Sequence, residues 1–292
     1  MKKTTYAVLA LLLPALIFGC GSMENTASVV VLSVGDVRVK SPGKEFAPAM
    51  AARVIRKGDI IKTGPRSHVT IQVGDLGMVQ IAPESTVEAT ALLESADGAF
   101  FLSRGTVSSR IERLGKWRGY SVKTPTAIAA VRGTVFSVSY NSAASTVGVS
   151  RGSVRVIETV SGKAELVQKG KAADVDNGIS LRDLGRTESL VMEKVEAVPF
   201  VVNAGDAAPE VIKEKGRSAL PEIETIDREL EKAAPFTLEG IRARYGRIDE
   251  VTLYSGRVYR GAIVSRGESL TIIVPGGTVL VPARSVRQTV SR

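Results

Sequence analysis

From Val29 to about Val160, apolar and polar residues alternate in short runs. Examples are Val37-Arg38-Val39-Lys40, Val69-Thr70-Ile71-Gln72-Val73, Met78-Val79-Gln80-Ile81, Thr134-Val135-Phe136-Ser137-Val138 and Ser153-Val154-Arg155-Val156. Period-two alternation puts every second side chain on one face of an extended chain, so each run predicts a β-strand. Val29-Val30-Val31-Leu32-Ser33-Val34, apolar and β-branched, predicts another. Most runs begin or end at glycine: Gly35, Gly74, Gly77, Gly105, Gly133 and Gly152. Strands spaced about 8–12 residues apart, with Gly and Pro turns, predict a β-sandwich or jelly roll. A short β-solenoid is the alternative, ranked second because no strict repeat period is present. Beyond Val160 the pattern weakens: Val175 to Gly185 reads as loop and residues 203–221 as linker. Pro221 to Lys232 predicts a helix, with Pro221 in its first turn, acids in its early half, and Ile223, Ile226 and Leu230 on one face. A second short helix is expected from Thr237 to Tyr245. The chain then returns to strands, at Val251–Tyr254, Arg257–Val264, Leu270–Val274 and Thr278–Pro282. That density predicts a small, strongly bent barrel leaning on the preceding helix, since so short a unit is marginal alone.

The N-terminus changes the picture. Lys2 and Lys3 precede an apolar run from Tyr6 to Phe18, followed by Gly19-Cys20-Gly21-Ser22. A basic start, an apolar centre and a small residue before a cut point make a secretory signal. The run is shorter than the roughly 20 apolar residues of a spanning helix, and Pro14 interrupts it. Leu16-Ile17-Phe18-Gly19-Cys20 resembles a bacterial lipoprotein lipobox, which implies acylation of Cys20 and cleavage before it. Cys20 is the only cysteine, so acylation leaves the mature chain without a thiol for disulfides, metals or nucleophilic attack. A single histidine, His68, leaves little room for a zinc site or a Ser-His-acid triad. Removing Lys2 and Lys3 from the formal +9 leaves +7. That basic surface suits an anionic lipid or envelope polymer, and export argues against nucleic acid.

Two stretches carry a family resemblance. One is Gly58-Asp59-Ile60-Ile61-Lys62-Thr63-Gly64-Pro65-Arg66-Ser67 with Ile81-Ala82-Pro83-Glu84-Ser85-Thr86-Val87. The other is Leu102-Ser103-Arg104-Gly105-Thr106-Val107, then Thr124-Pro125-Thr126-Ala127-Ile128-Ala129-Ala130-Val131-Arg132-Gly133-Thr134-Val135-Phe136. Over residues 30–160 the chain resembles the FecR domain, a β-rich module of bacterial envelope proteins. The best-known members sense a transport event and control a cytoplasmic sigma factor, using a cytoplasmic segment and a spanning helix that are not expected here. In the last of these stretches Pro125 fixes a turn, the alanines allow close layers and Gly133 suits a positive-φ corner. Arg132, a guanidinium among small apolar residues, needs partners. It is a salt bridge or carbonyl clamp, or else a ligand or partner contact. Residues from Val251 to Val264 resemble an SH3-like or Sm-like barrel, with Arg257 and Arg260 as further contact candidates.

Other chemistry finds little support. Gly148-Val149-Ser150-Arg151-Gly152 fits G-x-S-x-G, but a strand follows where a nucleophile elbow needs a helix. Asp174, Asp176 and Asp183 lack the later glutamate of a calcium loop, and His68 reads as a surface or turn residue. No cofactor or metal is expected. The chain is therefore divided into a signal peptide (1–19), a lipidated tether (20–28), a FecR-like β domain (29–190), a linker with short helices (191–245) and a small basic barrel (246–292). The expected role is a non-enzymatic envelope lipoprotein acting as a binding module or scaffold. Its partners are the membrane, through the N-terminal lipid, and an envelope protein or anionic polymer. The outer membrane is favoured because Gly21 replaces the aspartate that retains some lipoproteins at the inner one. The alternatives are an envelope sensor acting through a separate membrane-spanning partner and, more weakly, an envelope polymer hydrolase.

Overall fold

The computed structural model describes residues 28–74, 76–91, 97–112, 119–131, 133–233, 238–275 and 277–291. Cys20, with the signal peptide and most of the tether, and Arg132 lie outside the described residues. The molecule is mainly β, as the alternation predicts. The strands of the first half are β1 (Ser28–Val34), β2 (Val37–Lys40), β3 (Ala47–Pro48), β4 (Val54–Ile55), β5 (Ile60–Thr63), β6 (His68–Val73), β7 (Gly77–Ile81), β8 (Thr86–Ala91) and β9 (Asp97–Ile111). Those of the second are β10 (Gly119–Lys123), β11 (Ala127–Val131), β12 (Val135–Tyr140), β13 (Ser145–Arg151), β14 (Ser153–Glu158), β15 (Ala164–Gln168), β16 (Lys171–Val175) and β17 (Ile179–Asp183). The stretch from Val175 to Gly185, expected as loop, holds β17, paired through Leu181 to Ala173.

Pairing sorts these strands into two sheets. The first runs β4-β1-β6-β7-β9-β12-β13-β16-β17. The second runs β3-β2-β5-β8-β9-β10-β11-β14-β15. Strand β9 belongs to both. Its N-terminal part pairs with β8 and β10, and from Gly105 onward it pairs with β7 and β12. The faces between the sheets share one core, including Val30, Ile61, Ile71, Val79, Leu102 and Val147. At its centre Tyr120 meets Phe100 and Phe136 edge-on, with ring centroids 6.2 and 6.1 Å apart. Its hydroxyl finds Ser109 Oγ at 2.9 Å, so this buried aromatic polar tip is satisfied.

Much of the stretch expected as a linker with short helices packs as a helical layer on the outer face of the first sheet. Its helices are α1 (Arg186–Ala197), α2 (Pro209–Ser218) and α3 (Leu220–Ala233); a fourth, α4 (Leu238–Tyr245), packs against the C-terminal unit. The predicted helices coincide with α3 and α4, whereas α1 and α2 have no counterpart in the sequence expectation. Val29, Val31, Leu32 and Met78 of the sheet bury against Val195, Ile212 and Ile223 of the helices. The reason lies in the sheet: β1 is apolar on both faces, and its outer face needs cover. Helix α2 comes so close to β1 that a Cβ on Gly216 would sit 2.2 Å from the Val31 carbonyl oxygen.

The C-terminal unit consists of β18 (Asp249–Leu253), β19 (Val258–Arg266), β20 (Ser269–Val274), β21 (Gly277–Pro282), a 3-10 turn (Ala283–Ser285) and β22 (Val286–Ser291). They form a five-stranded sheet in the order β21-β20-β19-β18-β22. Its outer strands β21 and β22 do not pair, so the closed barrel expected from the sequence is an open, bent sheet. After Pro282, which has no N–H to donate, the 3-10 turn carries the chain to the free edge of β18. An irregularity between Ile263 and Ser265 bends β19 around a small core of Val251, Ile263, Leu270, Ile272 and Val281.

Candidate functional site

The residues most suggestive in sequence build corners. Thr124 and Thr126 flank Pro125 in the β10–β11 turn. Thr124 Oγ1 accepts the N–H of Ala127 at 2.8 Å and lies 2.7 Å from Ser145 Oγ. Thr126 Oγ1 is 2.6 Å from the same Ser145 oxygen. Ser145 is fully buried and opens β13 in the other sheet, so three hydroxyls fasten one layer to the other. Ala127 and Ala129 face the core, and Gly133 has the positive φ the sequence suggested, +68°.

A second corner device is repeated, and sequence reasoning does not reveal it. In Pro65-Arg66-Ser67, Ser67 Oγ donates to the Pro65 carbonyl (3.0 Å) and accepts the Asp36 N–H (2.9 Å). In Pro83-Glu84-Ser85, Ser85 Oγ donates to the Pro83 carbonyl (3.1 Å) and accepts the Thr106 N–H (3.0 Å). Arg66 and Glu84 both have positive φ, 51° and 53°. Opposite each serine lies a glycine with no room for a side chain. A Cβ on Gly35 would lie 2.4 Å from Ser67 Oγ, and one on Gly105 2.1 Å from Ser85 Oγ. Each corner marks a passage between the sheets. Pro-x-Ser twice, each answered by a distant Gly, was the available signal.

An open groove of about 410 Å³ lies between α1 and the end of β13. It is lined by Ser150, Arg151, Lys169, Arg186, Glu193 and Glu196, among others. Arg151 bridges Glu112 and Glu196, each at 3.3 Å, and Arg186 bridges Glu193 (3.1 Å) and Glu229 (2.7 Å). Lys169 has no ion-pair partner among the described residues and is the groove's available cation. Ser150, the serine of G-x-S-x-G, donates to the Val135 carbonyl at 3.4 Å near the end of β13, and the chain turns at Gly152 into strand β14, not into a helix. His68 lies on β6, four strand steps away, roughly 19 Å at about 4.8 Å per step. Among the described residues the groove thus offers fixed ion pairs and one unpaired ammonium, and Ser150 has no histidine beside it.

His68 is not a surface residue. It is 5% exposed, sits beneath the helical layer, and its Nε2 has no hydrogen-bond partner among the described residues. Burial, reinforced by the Lys194 ammonium and opposed by Asp227, lowers its pKa to about 4. Lys194, almost wholly buried on α1, reaches Asp227 on α3 at 2.6 Å. Nearby, Arg110 donates to the Glu196 carbonyl at 2.6 Å and lies 4.5 Å from the Phe200 ring centroid. Gln72 clasps Val201 through both backbone groups, at 2.9 and 2.8 Å. Polar contacts therefore hold much of the helical layer to the sheet.

The remaining candidates separate. Arg257 donates to the Tyr259 hydroxyl at 3.2 Å, whereas Arg260 pairs with Glu250 at 2.8 Å. Asp174 accepts from Thr146 and Arg182, each at 2.7 Å, and Asp183 pairs with Lys171 at 2.7 Å. These two acids, on β16 and β17, are therefore engaged in side-chain contacts of their own.

Residues 59–155, which span the sheets, both corner devices' serines and the Thr124–Ser145 staple, match the FecR protein family. The chain carries a FecR domain. Two crystal structures of a candidate anti-sigma factor from Parabacteroides distasonis ATCC 8503, at 1.65 and 2.50 Å resolution, are similar at 17% identity and a TM-score of 0.39. The similarity covers 47% of this chain and 63% and 62% of those chains, so less than two thirds of their length is spanned. No curated protein matches the chain in sequence.

Proposed function

We propose that this protein is a non-catalytic regulator of the bacterial cell envelope whose FecR domain is a rigid binding module. The observation that carries the reading is the FecR match itself, which falls on the doubly stapled sandwich and its corners. The groove beside it supports a protein partner: ion pairs hold its arginines in place, and Lys169 is left to meet a carboxylate. Regulation is preferred to a purely mechanical scaffold because the best-known members of the family the sequence resembles are signalling proteins. Those members carry their own spanning helix, and no helix among the described residues is long and apolar enough to cross a membrane. The proposal therefore places the signal in a separate membrane-spanning partner, with the chain exported and held at the envelope by lipid on Cys20. The C-terminal unit, with its strand order and 3-10 turn before the last strand, is read as an opened SH3-like barrel serving as a second contact module.

Deleting the gene and profiling transcripts tests the regulatory role. A restricted change, centred on transport genes and reversed by the wild-type chain, is expected. An unchanged profile sinks it. Palmitate labelling tests the anchor: wild type should take up label and Cys20→Ser should not.

A further inference from the structure

The C-terminal unit has a concentration of charge that the FecR reading leaves unused. From residue 247 to the end there are seven arginines, no lysine and three acids, Asp249, Glu250 and Glu268. Two of the acids are neutralised internally. Asp249 is buried; burial alone would raise its carboxyl pKa, but hydrogen bonds from Ser291 and the Ile263 N–H, with Arg247 at 3.3 Å, hold it below the usual range. Glu250 is taken by Arg260. Arg266, Arg284 and Arg287 are exposed and have no ion-pair or hydrogen-bond partner among the described residues.

The backbone brings these three together. Ala283 N–H donates to the Glu268 carbonyl at 2.8 Å, setting the 3-10 turn beside the β19–β20 hairpin. Tyr254 N–H donates to the Ser285 carbonyl at 3.0 Å, setting the same turn beside the β18–β19 turn. Arg266, Arg284 and Arg287 therefore lie on segments that meet at the 3-10 turn. The β18–β19 turn adds Arg257 and two exposed apolar side chains, Tyr254 (73% exposed) and Val258 (46%).

We infer that this surface around the 3-10 turn docks on an anionic lipid surface. The charge is mainly positive, with Glu268 the one acid beside these arginines, and it is spread over turns and strand ends. An exposed tyrosine beside arginines suits the headgroup boundary, where an amphipathic ring rests and basic side chains meet lipid phosphate. Nothing in this inference requires the regulatory reading, nor lipid on Cys20.

Vesicle flotation of the chain from residue 21 onward, with no leader or acyl group, tests it. Binding is expected to mixed phosphatidylglycerol–phosphatidylcholine vesicles, not to pure phosphatidylcholine, and should weaken at high salt. Each arginine neutralised should weaken binding about five-fold, so Arg266→Gln, Arg284→Gln and Arg287→Gln together should weaken it about 100-fold. The corresponding triple Arg→Lys variant keeps the charge, doubles as a folding control, and should bind nearly as well as wild type. Single Arg→Gln variants give the same trend should the triple variant fail to fold. Equal binding to both vesicle types, no binding at all, or Gln variants that bind like wild type would overturn the inference. So would loss of binding in the Lys variant, which would point instead to fork-shaped pairing with carboxylates of an acidic protein.

Discussion

Gly105 decides how one strand serves two sheets. Its φ is +98°, and the Ser85 Cα stands 2.6 Å from where a Cβ would be. Alanine there meets left-handed strain of about 1–2 kcal/mol and overpacking of about 1–3 kcal/mol. The expected loss in urea unfolding is roughly 2–5 kcal/mol. Gly162 also has positive φ, +70°, but a Cβ there would meet nothing within 4 Å, so Gly162→Ala should show the strain alone. Equal losses at the two positions would remove the close approach from the account. Ser145→Ala should cost about 1–3 kcal/mol, because Thr124 and Thr126 lose a buried partner. A change in the unfolding midpoint within error of wild type would mean that the staple contributes nothing. At this scale the sequence was partly legible. Gly133 was readable as a corner, and the alanines of β11 as close packing. The serines of the Pro-x-Ser corners were not, because a hydroxyl's use depends on a glycine far away in the chain.

Among the elements, the helical layer was the least visible in sequence. Residues 203–221 look like linker because Gly, Ala and Pro recur in them, yet one of these, Gly216, is what lets α2 approach β1. Strand and helix periodicity found α3 and α4, where acids and apolar positions segregate. Helix α1 escaped because its inward face includes a buried lysine, Lys194. The seam beneath this layer is pH-sensitive. His68 titrates near 6.5 when unfolded and at about 4 when folded. Between those values the unfolded chain binds more protons, so stability falls as the pH drops from about 6.5 towards 4, by about 3 kcal/mol in all. His68→Gln should flatten that part of the wild-type curve, measured by urea unfolding across pH. Parallel wild-type and variant curves would show that His68 is not the group responsible. His68 was misjudged as exposed because its neighbours in sequence, Ser67 and Val69, mark a strand start. Only the packing of α1 and α3 covers it.

For the whole molecule, two β units of different character sit at the two ends of a helical segment. The first β unit is fastened by buried hydroxyls and borders a groove in which Lys169 has no ion-pair partner among the described residues. The C-terminal sheet presents a basic surface around its 3-10 turn, with exposed Tyr254. Mainly β architecture and the return to strands after residue 246 were legible from alternation. Barrel closure was not, because whether two outer strands meet depends on the bend in β19 and on where Pro282 releases the chain. The central claim is that the FecR module regulates by binding and not by catalysis. The most direct measurement is transcript profiling of a deletion strain complemented with wild type or with Lys169→Glu, a charge reversal at an exposed groove position. The account expects wild type to restore the profile and the folded Lys169→Glu chain, present at equal abundance, to fail. A deletion without transcriptional effect, or full restoration by Lys169→Glu, would contradict it.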